Sequence, residues 1–388
     1  MRLPRLPPPP AALKTRLLTV GPVPPEWGGK LRGGVTRFNV TLLEEFRTRP
    51  WRHRIEPVGV LIPPPQRIHR KIAGRLAPMP VFMQPKGGRP RRFTRLLLEE
   101  QQPDAVLVNN IAAFNGARYV RVQAAVAPEL PTIGVVHEWR AIRAKEDEER
   151  AGRYREAAQS ALDALSAVVF PSLHTRDVGT EQLGLRYPER AMVINNPVQP
   201  AFADPRLDVT GSRNGIAFVG SFNDRKNPQS LLRAVAGLPG QELTLQGRGP
   251  IEEELHALTA ELGIGDRVGF APFVGHRGHV RSVIEVMTSA ELLCLPSRSE
   301  AFALVIIEAL AAGTPVAGYG PTLVEIRDRI GIDIGEPIFD PTPENIATAI
   351  EAVRGRTWDR EGLRRAALDA FGPDVVARRY AELIRSLV

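Results

Sequence analysis

The stretch that decides the fold is residues 296–316, PSRSEAFALVIIEALAAGTPV. Four apolar residues, Leu292 to Leu295, come before it and predict a buried strand that ends at Pro296. A short polar loop follows, and an apolar helix opens near Ala303. The N–H groups of a first helical turn have no partners within the helix, and the helix dipole is positive at that end. The stretch therefore predicts an anion site at a strand–loop–helix junction.

Two carboxylates flank this junction: Glu300 in the loop, and Glu308 one to two turns into the helix. A carboxylate repels phosphate, so both are better suited to accept hydrogen bonds from ligand hydroxyls. A phosphate cradle between two such acceptors favours a nucleotide-sugar, with sugar hydroxyls on one carboxylate and ribose hydroxyls on the other. The alternative is an ordinary capped helix with Glu308 in solvent.

The rest of the chain alternates short apolar strands with amphipathic helices, which is typical of parallel βα units. A break rich in proline and glycine covers residues 197–214, and the alternation then restarts. The length of 388 residues suits two domains. We expect an extension over 1–13, a first domain over 14–200, a second over 201–372, and a final helix over 373–388 that crosses back to the first. The predicted strands are 17–20, 105–108, 132–136, 167–170, 191–194, 215–219, 242–245, 268–270, 292–295 and 315–317, and the predicted helices are 35–46, 228–236, 251–262, 280–289, 304–312 and 373–387.

The spacing E-x7-E followed by A-x-A-x-G-x-P-V resembles the signature of the retaining glycosyltransferases of family 4. Further segments resemble that family in the same order along the second domain, and Gly33-Gly34-Val35 and His137 do so in the first. The resemblance implies a GT-B fold, an α/β architecture of two Rossmann-like doubly wound domains that face each other across a cleft. The segments are 195–198 (NNPV), 219–227 (VGSFNDRKN), 246–250 (QGRGP) and 273–275 (FVG).

Roles follow from this resemblance position by position. Lys226 would bind the donor diphosphate, Glu300 the donor sugar and Glu308 the ribose. Ser221 stands where the family has an arginine, and Arg225 is the neighbouring cation that would supply the missing charge. His137, at the carboxyl end of its strand, would lie near the donor sugar, although a lone histidine is more often structural. The remaining donor-binding positions are Gly33, Gly34, Gly247, Phe273, Phe302, Ala303 and Leu304.

The family's E-G-F-G is Glu300-Ala301-Phe302-Ala303 here. Alanine at both glycine positions keeps the backbone N–H groups and argues against a positive φ there. No residue is identifiable as the far-face nucleophile that double displacement requires. The resemblance implies a front-face reaction with retention, in which His137, Lys226 and Glu300 serve the chemistry. The sequence holds no D-x-D, so we expect no metal requirement and no cofactor, the nucleotide-sugar being a substrate.

The net charge of +8 is unevenly distributed. Residues 1–125 carry 22 Lys and Arg against 7 Asp and Glu, whereas residues 201–388 carry 20 against 25. This asymmetry favours an anionic partner for the first domain, and we expect a glycan or lipid-linked acceptor at an anionic membrane surface. An arginine-rich proteome is the alternative explanation, but it does not account for the asymmetry. Nucleic acid is not expected, because the basic third has no aromatic interleaving or recognition signature.

Several other classes are excluded or disfavoured. The single cysteine, Cys294, rules out a disulfide framework, and no apolar run reaches the roughly 18 residues that span a bilayer. The expected location is therefore the cytoplasm, at the membrane face. Gly29-Lys30 lacks the context of a P-loop, and the G-x-G at 247–249 lacks the third glycine of a dinucleotide site. The remaining alternative is a non-catalytic nucleotide-sugar-binding protein that kept the GT-B fold, which Ser221 motivates.

Overall fold

The computed structural model describes residues 14–24, 27, 34–62, 79–83, 90–112, 114–139, 142, 147–271 and 276–388, without the side chains of Trp51, Phe114 and 276–279. The chain forms two compact units. The first comprises Met1–Asn195 and Asp374–Val388, and the second comprises Asn196–Pro373. In the part of the chain just given, no helix is long and apolar enough to cross a membrane.

The first unit is built on a parallel sheet of seven strands in the order β3-β2-β1-β4-β5-β6-β7. Strands β4 and β6 are buried at every residue, because helices cover both faces of a parallel sheet. The order reverses between β1 and β4, which are paired from Leu17 opposite Ala105 to Val20 opposite Val108. The strands are β1 Thr15–Val20, β2 Ile55–Ile62, β3 Val81–Met83, β4 Ala105–Asn109, β5 Thr132–Val135, β6 Ala167–Phe170 and β7 Ala191–Val193.

Helices flank this sheet, and the last helix of the chain is one of them. Its buried residues, including Tyr380 and Ile384, pack in one hydrophobic cluster with Phe38 and Phe46 of α1 and Leu17 of β1. The C-terminal helix thus completes the core of the first unit. The helices of this unit are α1 Gly34–Thr48, α2 Pro50–His53, α3 Pro90–Gln101, α4 Phe114–Ala124, α5 Glu148–Leu162, α6 Leu173–Glu181 and, at the end of the chain, α14 Pro373–Arg385.

The second unit repeats the architecture with a parallel sheet of six strands in the order β10-β9-β8-β11-β12-β13. The order reverses between β8 and β11, which are paired at Leu292 opposite Ile216 and Leu293 opposite Ala217. In open sheets of this kind, ligands bind beyond the carboxyl ends of the strands at such a reversal. The strands are β8 Ile216–Val219, β9 Leu243–Gln246, β10 Val268–Ala271, β11 Leu292–Leu295, β12 Val316–Tyr319 and β13 Gly335–Ile338.

Helix α10 is the most buried helix of the second unit: all eight of its residues are buried. Apart from Glu308 it is apolar on every side, as expected of a helix inside a core. The helix follows β11 through a short loop, in the strand–loop–helix order predicted from the sequence. The helices are α7 Pro228–Ala236, α8 Glu252–Glu261, α9 His276–Ser289, α10 Leu304–Ala311, α11 Gly320–Ile330, α12 Pro343–Arg354 and α13 Arg360–Phe371, with a short 3-10 turn at Pro200–Ala203.

Candidate functional site

Two loops meet at the strand-order reversal of the second unit. One follows β8 over residues 220–227, and the other follows β11 over residues 296–303. The backbone N–H of Arg298 donates to the carbonyl of Arg225 at 2.8 Å, and the Arg298 guanidinium donates to Asn227 Oδ1 at 3.2 Å. These bonds fasten the loops together, and they bring Lys226 and Glu300 to one place, although 74 residues separate them.

Glu300 is held between two cations. Its Oε1 lies 2.6 Å from Lys226 Nζ, and its Oε2 lies 3.0 Å from an amino nitrogen of the Arg225 guanidinium. The side chains of Lys226 and Glu300 are only 12% and 7% exposed. Burial alone would raise the pKa of the Glu300 carboxyl, but the charges of Lys226 and Arg225 outweigh it, so the pKa is lowered. The site therefore contains a carboxylate and two cations, with a net charge of +1.

The backbone around Lys226 is fixed by its neighbours. The Lys226 N–H donates to Asn223 Oδ1 at 3.0 Å, which closes a tight turn. Asn227 then takes a left-handed conformation with φ 56°, and its side-chain amide donates to the carbonyl of Pro341 at 3.0 Å. Pro228 begins α7, where a missing N–H costs nothing. The cation at position 226 is thus presented by an ordered turn rather than by a loose loop.

The N-terminus of α10 has the features of an anion-binding helix end. Ala303 is its N-cap with φ −74°, and no side chain caps the first turn. The negative φ agrees with the prediction made from alanine in the family's second glycine position. Glu308 lies within this helix and is only 1% exposed, so it is not the solvated side chain of the simpler interpretation.

Three arginines from other segments bind the C-terminus of α10. The carbonyls of the consecutive residues 311, 312 and 313 accept hydrogen bonds from Arg364, Arg213 and Arg360 respectively. Arg213 also donates to the carbonyls of Met287 and Val209. Burial lowers the pKa of Arg213 to about 10, and the like charge of Arg360 adds to that effect. Cations at the negative end of a helix dipole stabilise the helix, so these side chains anchor α10 in the second unit.

Two glycines let the loops after β8 and β9 approach closely. A Cβ atom on Gly247 would lie 1.9 Å from the carbonyl oxygen of Gly220, and one on Gly249 would lie 1.9 Å from that of Phe222. Neither position has room for a side chain, so both require glycine, and the contact of Gly247 with the donor stays a prediction. Ser221, between the two contacted residues, is exposed.

The side chain of Phe302 faces the core. It is 6% exposed, and its ring packs 6.0 Å from that of Phe371. Ala303 and Leu304 are likewise members of the hydrophobic core of this unit. Ligand contacts from these three positions would therefore come from backbone N–H groups.

The remaining predicted residues lie elsewhere or outside the described ranges. Gly33 and Phe273 belong to the segments that the structure does not describe, and Gly34 is the first residue of α1. His137 follows β5 in the first unit and is 8% exposed. Burial lowers the pKa of its imidazole to about 3, so the ring is neutral at ordinary pH.

Sequence reasoning missed two amides that accompany His137. Asn109 ends β4, and its Oδ1 lies 3.5 Å from His137 Nε2. The Asn109 amide donates to Asn39 Oδ1 of α1 at 2.7 Å. An asparagine directly after a run of buried strand residues was the available signal for Asn109. Asn39 had no such signal, because only the folded sheet brings it alongside.

Within the described residues, one group of possible metal ligands lies close together: atoms of Glu45, His53 and Asp374 lie within 4.8 Å of one another. Guanidinium groups already pair with both carboxylates. Arg49 lies 2.9 Å from Glu45 Oε2, and Arg52 lies 2.6 Å from Asp374 Oδ2. A dication would have to displace or tolerate two cations, so we interpret the group as an ion-pair network at the start of α14.

Comparison with known proteins agrees with this geometry. Residues 203–352 match the family model described as glycosyl transferases group 1. D-inositol 3-phosphate glycosyltransferase of Mycobacterium sp. (strain JLS) is 35% identical over 186 residues, which is 44% of this chain and 41% of that protein. The counterpart of Mycobacterium tuberculosis (strain F11) is 31% identical over 210 residues, 50% of this chain and 42% of that protein. The chain thus matches less than half the length of these curated relatives.

Solved structures match along nearly the whole chain. The lipopolysaccharide outer core galactosyltransferase WaaB superposes with a TM-score of 0.71 at 15% identity, covering 96% of this chain and 100% of that one. Anabaena HepE, solved in complex with UDP and glucose, superposes with a TM-score of 0.66 at 18% identity, covering 96% of this chain and 100% of that one. Sucrose-phosphate synthase of Thermosynechococcus elongatus superposes with a TM-score of 0.66 at 17% identity, covering 96% of this chain and 99% of that one.

The two Rossmann-like units and these matches define the GT-B fold. Residues 203–352 are similar to the group 1 glycosyltransferases, the class to which the family-4-like motifs of the sequence pointed.

Proposed function

We propose that this protein transfers a sugar from a nucleotide-sugar to an acceptor hydroxyl with retention of anomeric configuration. The observation that carries the proposal is the ion pair between Lys226 and Glu300 beside the uncapped N-terminus of α10. A cation next to free N–H groups suits a diphosphate, and a carboxylate at the same place suits sugar hydroxyls. The match over residues 203–352 and the UDP and glucose bound to HepE support this donor class.

In the proposed reaction the bond between the anomeric carbon and the diphosphate oxygen breaks, and a bond from that carbon to the acceptor oxygen forms on the same face. The acceptor proton passes to the departing phosphate oxygen. Lys226, Arg225 and the N–H groups of α10 stabilise the negative charge that grows on the leaving group. Glu300 fixes Lys226 before the donor arrives and accepts hydrogen bonds from donor-sugar hydroxyls, while Glu308 accepts from the ribose.

A thermal-shift screen against nucleotide-sugars, UDP-sugars first, tests the donor class. Transfer assays with the responding donor then compare wild type with Lys226→Ala and Glu300→Ala. We expect a rise in melting temperature for the wild type and a large loss of transfer in both variants. Full activity in both variants would show that neither Lys226 nor Glu300 takes part in the transfer, and would exclude this as the active site.

The second candidate is a nucleotide-sugar-binding protein without transferase activity, favoured by Ser221 in the family's arginine position. It predicts donor binding without turnover on a broad acceptor panel. The variant Ser221→Arg separates the two candidates. If the protein is catalytic and Arg225 already stabilises the diphosphate, Ser221→Arg should change its transfer activity little. If the protein has lost activity because the family's arginine is missing, Ser221→Arg should produce measurable donor hydrolysis.

We also propose that the acceptor is a glycan or a lipid-linked molecule, and that the protein works at the cytoplasmic face of an anionic membrane. The excess of 22 Lys and Arg over 7 Asp and Glu in residues 1–125 supports this. Each basic residue near an anionic leaflet contributes about 1 kcal/mol of binding. Sedimentation with anionic and with neutral vesicles tests it, and equal binding to both would exclude the electrostatic attachment.

A further inference from the structure

Two asparagines meet at the carboxyl edge of the first sheet, at the point where its strand order reverses. Asn39 lies on α1 and is fully buried, and Asn109 at the end of β4 is 5% exposed. The Asn109 Nδ2 atom lies 2.7 Å from Asn39 Oδ1, and the Asn39 Nδ2 atom lies 2.9 Å from the backbone carbonyl of Pro22. His137, after the neighbouring strand β5, lies against Asn109.

The orientation of both amides follows from the Pro22 carbonyl. A carbonyl oxygen only accepts, so the Asn39 atom facing it must be the NH2 nitrogen. The Asn39 oxygen then faces Asn109, and the Asn109 atom that meets it must be a nitrogen donor. The Asn109 oxygen is left on the other side, where it lies 3.5 Å from His137 Nε2. Each step leaves one choice, because two oxygens in contact would repel each other inside the core.

We propose that Asn39 and Asn109 are positioning residues that fix His137 in the tautomer with the proton on Nε2, which leaves Nδ1 as the hydrogen-bond acceptor. The Asn109 oxygen can only accept, so the ring nitrogen that faces it must donate. Phe38 supports the ring orientation, since its own ring packs edge-on to the imidazole at 4.9 Å.

Gly21 at the end of β1 makes room for this arrangement. A Cβ atom there would lie 3.0 Å from Asn109 Cβ, 3.2 Å from Asn109 Nδ2 and 3.3 Å from Asn39 Nδ2. A side chain at position 21 would push against both amides. The glycine is thus part of the same device, together with the carbonyl of Pro22 that follows it.

The use of the Nδ1 lone pair rests on the proposed function, whereas the tautomer itself does not. In a glycosyltransferase, a neutral acceptor nitrogen would take a hydrogen bond from a hydroxyl of a bound substrate. A ring free to exchange tautomers would offer a donor there part of the time. Around metal-bound histidines, the partners that set the imidazole tautomer are worth about 10- to 100-fold in function when removed.

The direct test is nuclear magnetic resonance of protein labelled with 15N in its histidine rings, at neutral pH. The chain has seven histidines, and His137→Gln identifies the signals of His137 by their loss. We expect a single Nε2-protonated tautomer for the wild type. A wild-type ring protonated on Nδ1, or averaged between tautomers, would overturn the proposal without any variant.

Two variants test the two asparagines. Asn109→Leu and Asn39→Leu remove the acceptor or its orientation, and we expect tautomer exchange at His137 in both. Gln123→Leu is the matched control, because it also removes a buried amide of the same unit, one that bonds to Thr132 and Ala127 instead. It should keep the His137 tautomer. A single tautomer in Asn39→Leu would show that Asn39 does not position the ring.

Activity separates this proposal from the function on which it draws. With transfer established, Asn109→Leu should lower kcat about 10- to 100-fold, the range seen when partners of metal-bound histidines are removed. An unchanged kcat with a changed tautomer would refute the use of Nδ1. A fixed tautomer in a protein without any transfer activity would instead count against the proposed function alone.

Discussion

Lys226 Nζ lies 2.6 Å from Glu300 Oε1, in a site where both side chains are nearly buried. The pair joins the loops after β8 and β11, two neighbouring strands at the reversal of the sheet order. A buried ion pair contributes little net stability compared with apolar residues, but breaking one side of it is costly. Its presence at a ligand-binding edge of the sheet indicates a functional reason for keeping the charge.

Removal of the lysine should disable transfer. In Lys226→Met, the leaving diphosphate loses a cation, and we expect kcat to fall by about 100- to 1,000-fold, the usual effect of losing one electrostatic contact to a developing charge. Steady-state kinetics with a saturating donor measures the change. Lys226→Arg is the matched control, because it keeps the charge. A kcat near the wild-type value in Lys226→Met would contradict the role of the lysine.

Neutralising the carboxylate should separate binding from catalysis. Glu300→Gln raises the net charge of the site by one and frees Lys226 and Arg225 for phosphate oxygens. We therefore expect tighter binding of a nucleoside diphosphate together with a lower kcat. Isothermal titration calorimetry and transfer assays measure the two effects. Weaker diphosphate binding would contradict this prediction and show that the positioning of Lys226 by Glu300 outweighs the repulsion between its carboxylate and the phosphates.

The arginines at the C-terminus of α10 should matter for stability. Arg213→Met removes the guanidinium donor from several carbonyls, among them those of Val209 and Ala312, and each buried group left unpaired costs about 1–3 kcal/mol. We expect a clear fall in the free energy of unfolding, measured by urea denaturation. Arg206, which pairs only with Asp204 at the surface, provides the control. Equal effects of Arg213→Met and Arg206→Ala would contradict the anchoring role.

Burial of His137 should make stability depend on pH. Its pKa is about 3 in the folded chain and about 6.5 in an unfolded one, so the unfolded state binds more protons between these values. The free energy of unfolding should therefore fall as the pH is lowered through this window, by up to about 1.4 kcal/mol per pH unit from this group. Denaturation curves of wild type and His137→Gln at several pH values measure the contribution, which the variant should lack.

Chelation should leave activity intact. The proposed catalysis assigns the diphosphate charge to Lys226, Arg225 and backbone N–H groups, so ethylenediaminetetraacetate in the transfer assay should not change kcat. Activity that disappears with chelator and returns with magnesium would show that a metal ion neutralises the diphosphate charge instead.

The sequence predicted the features that depend on neighbours along the chain. The strand before Pro296, the helix after Ala303 and the two carboxylates lie within about twenty residues, so local periodicity and spacing were sufficient. The family resemblance then added Lys226, whose pairing with Glu300 spans 74 residues. The same motifs predicted the class of protein, and the family match over residues 203–352 agrees with that prediction.

The features that were missed depend on contacts across the sheet. Asn39 and Asn109 are 70 residues apart, and Arg213 and Arg364 reach α10 from distant segments. Strand β2 escaped prediction because Pro57 and Gly59 interrupt its apolar run, and the pairing of β1 with β2 shifts register between Leu17 and Leu18. Proline and glycine usually indicate turns, and only the register shift accommodates them here.

The return of α14 to the first unit sets an order of events during synthesis. The second unit is one continuous segment, Asn196–Pro373, so it can fold as soon as that segment has left the ribosome. The first unit lacks Tyr380, Ile384 and the rest of α14 until residues 374–388 emerge. During translation, the apolar face of the first unit that α14 covers therefore stays exposed until the end of the chain has been made. A chaperone would bind that face, and a premature stop codon before α14 would leave it uncovered.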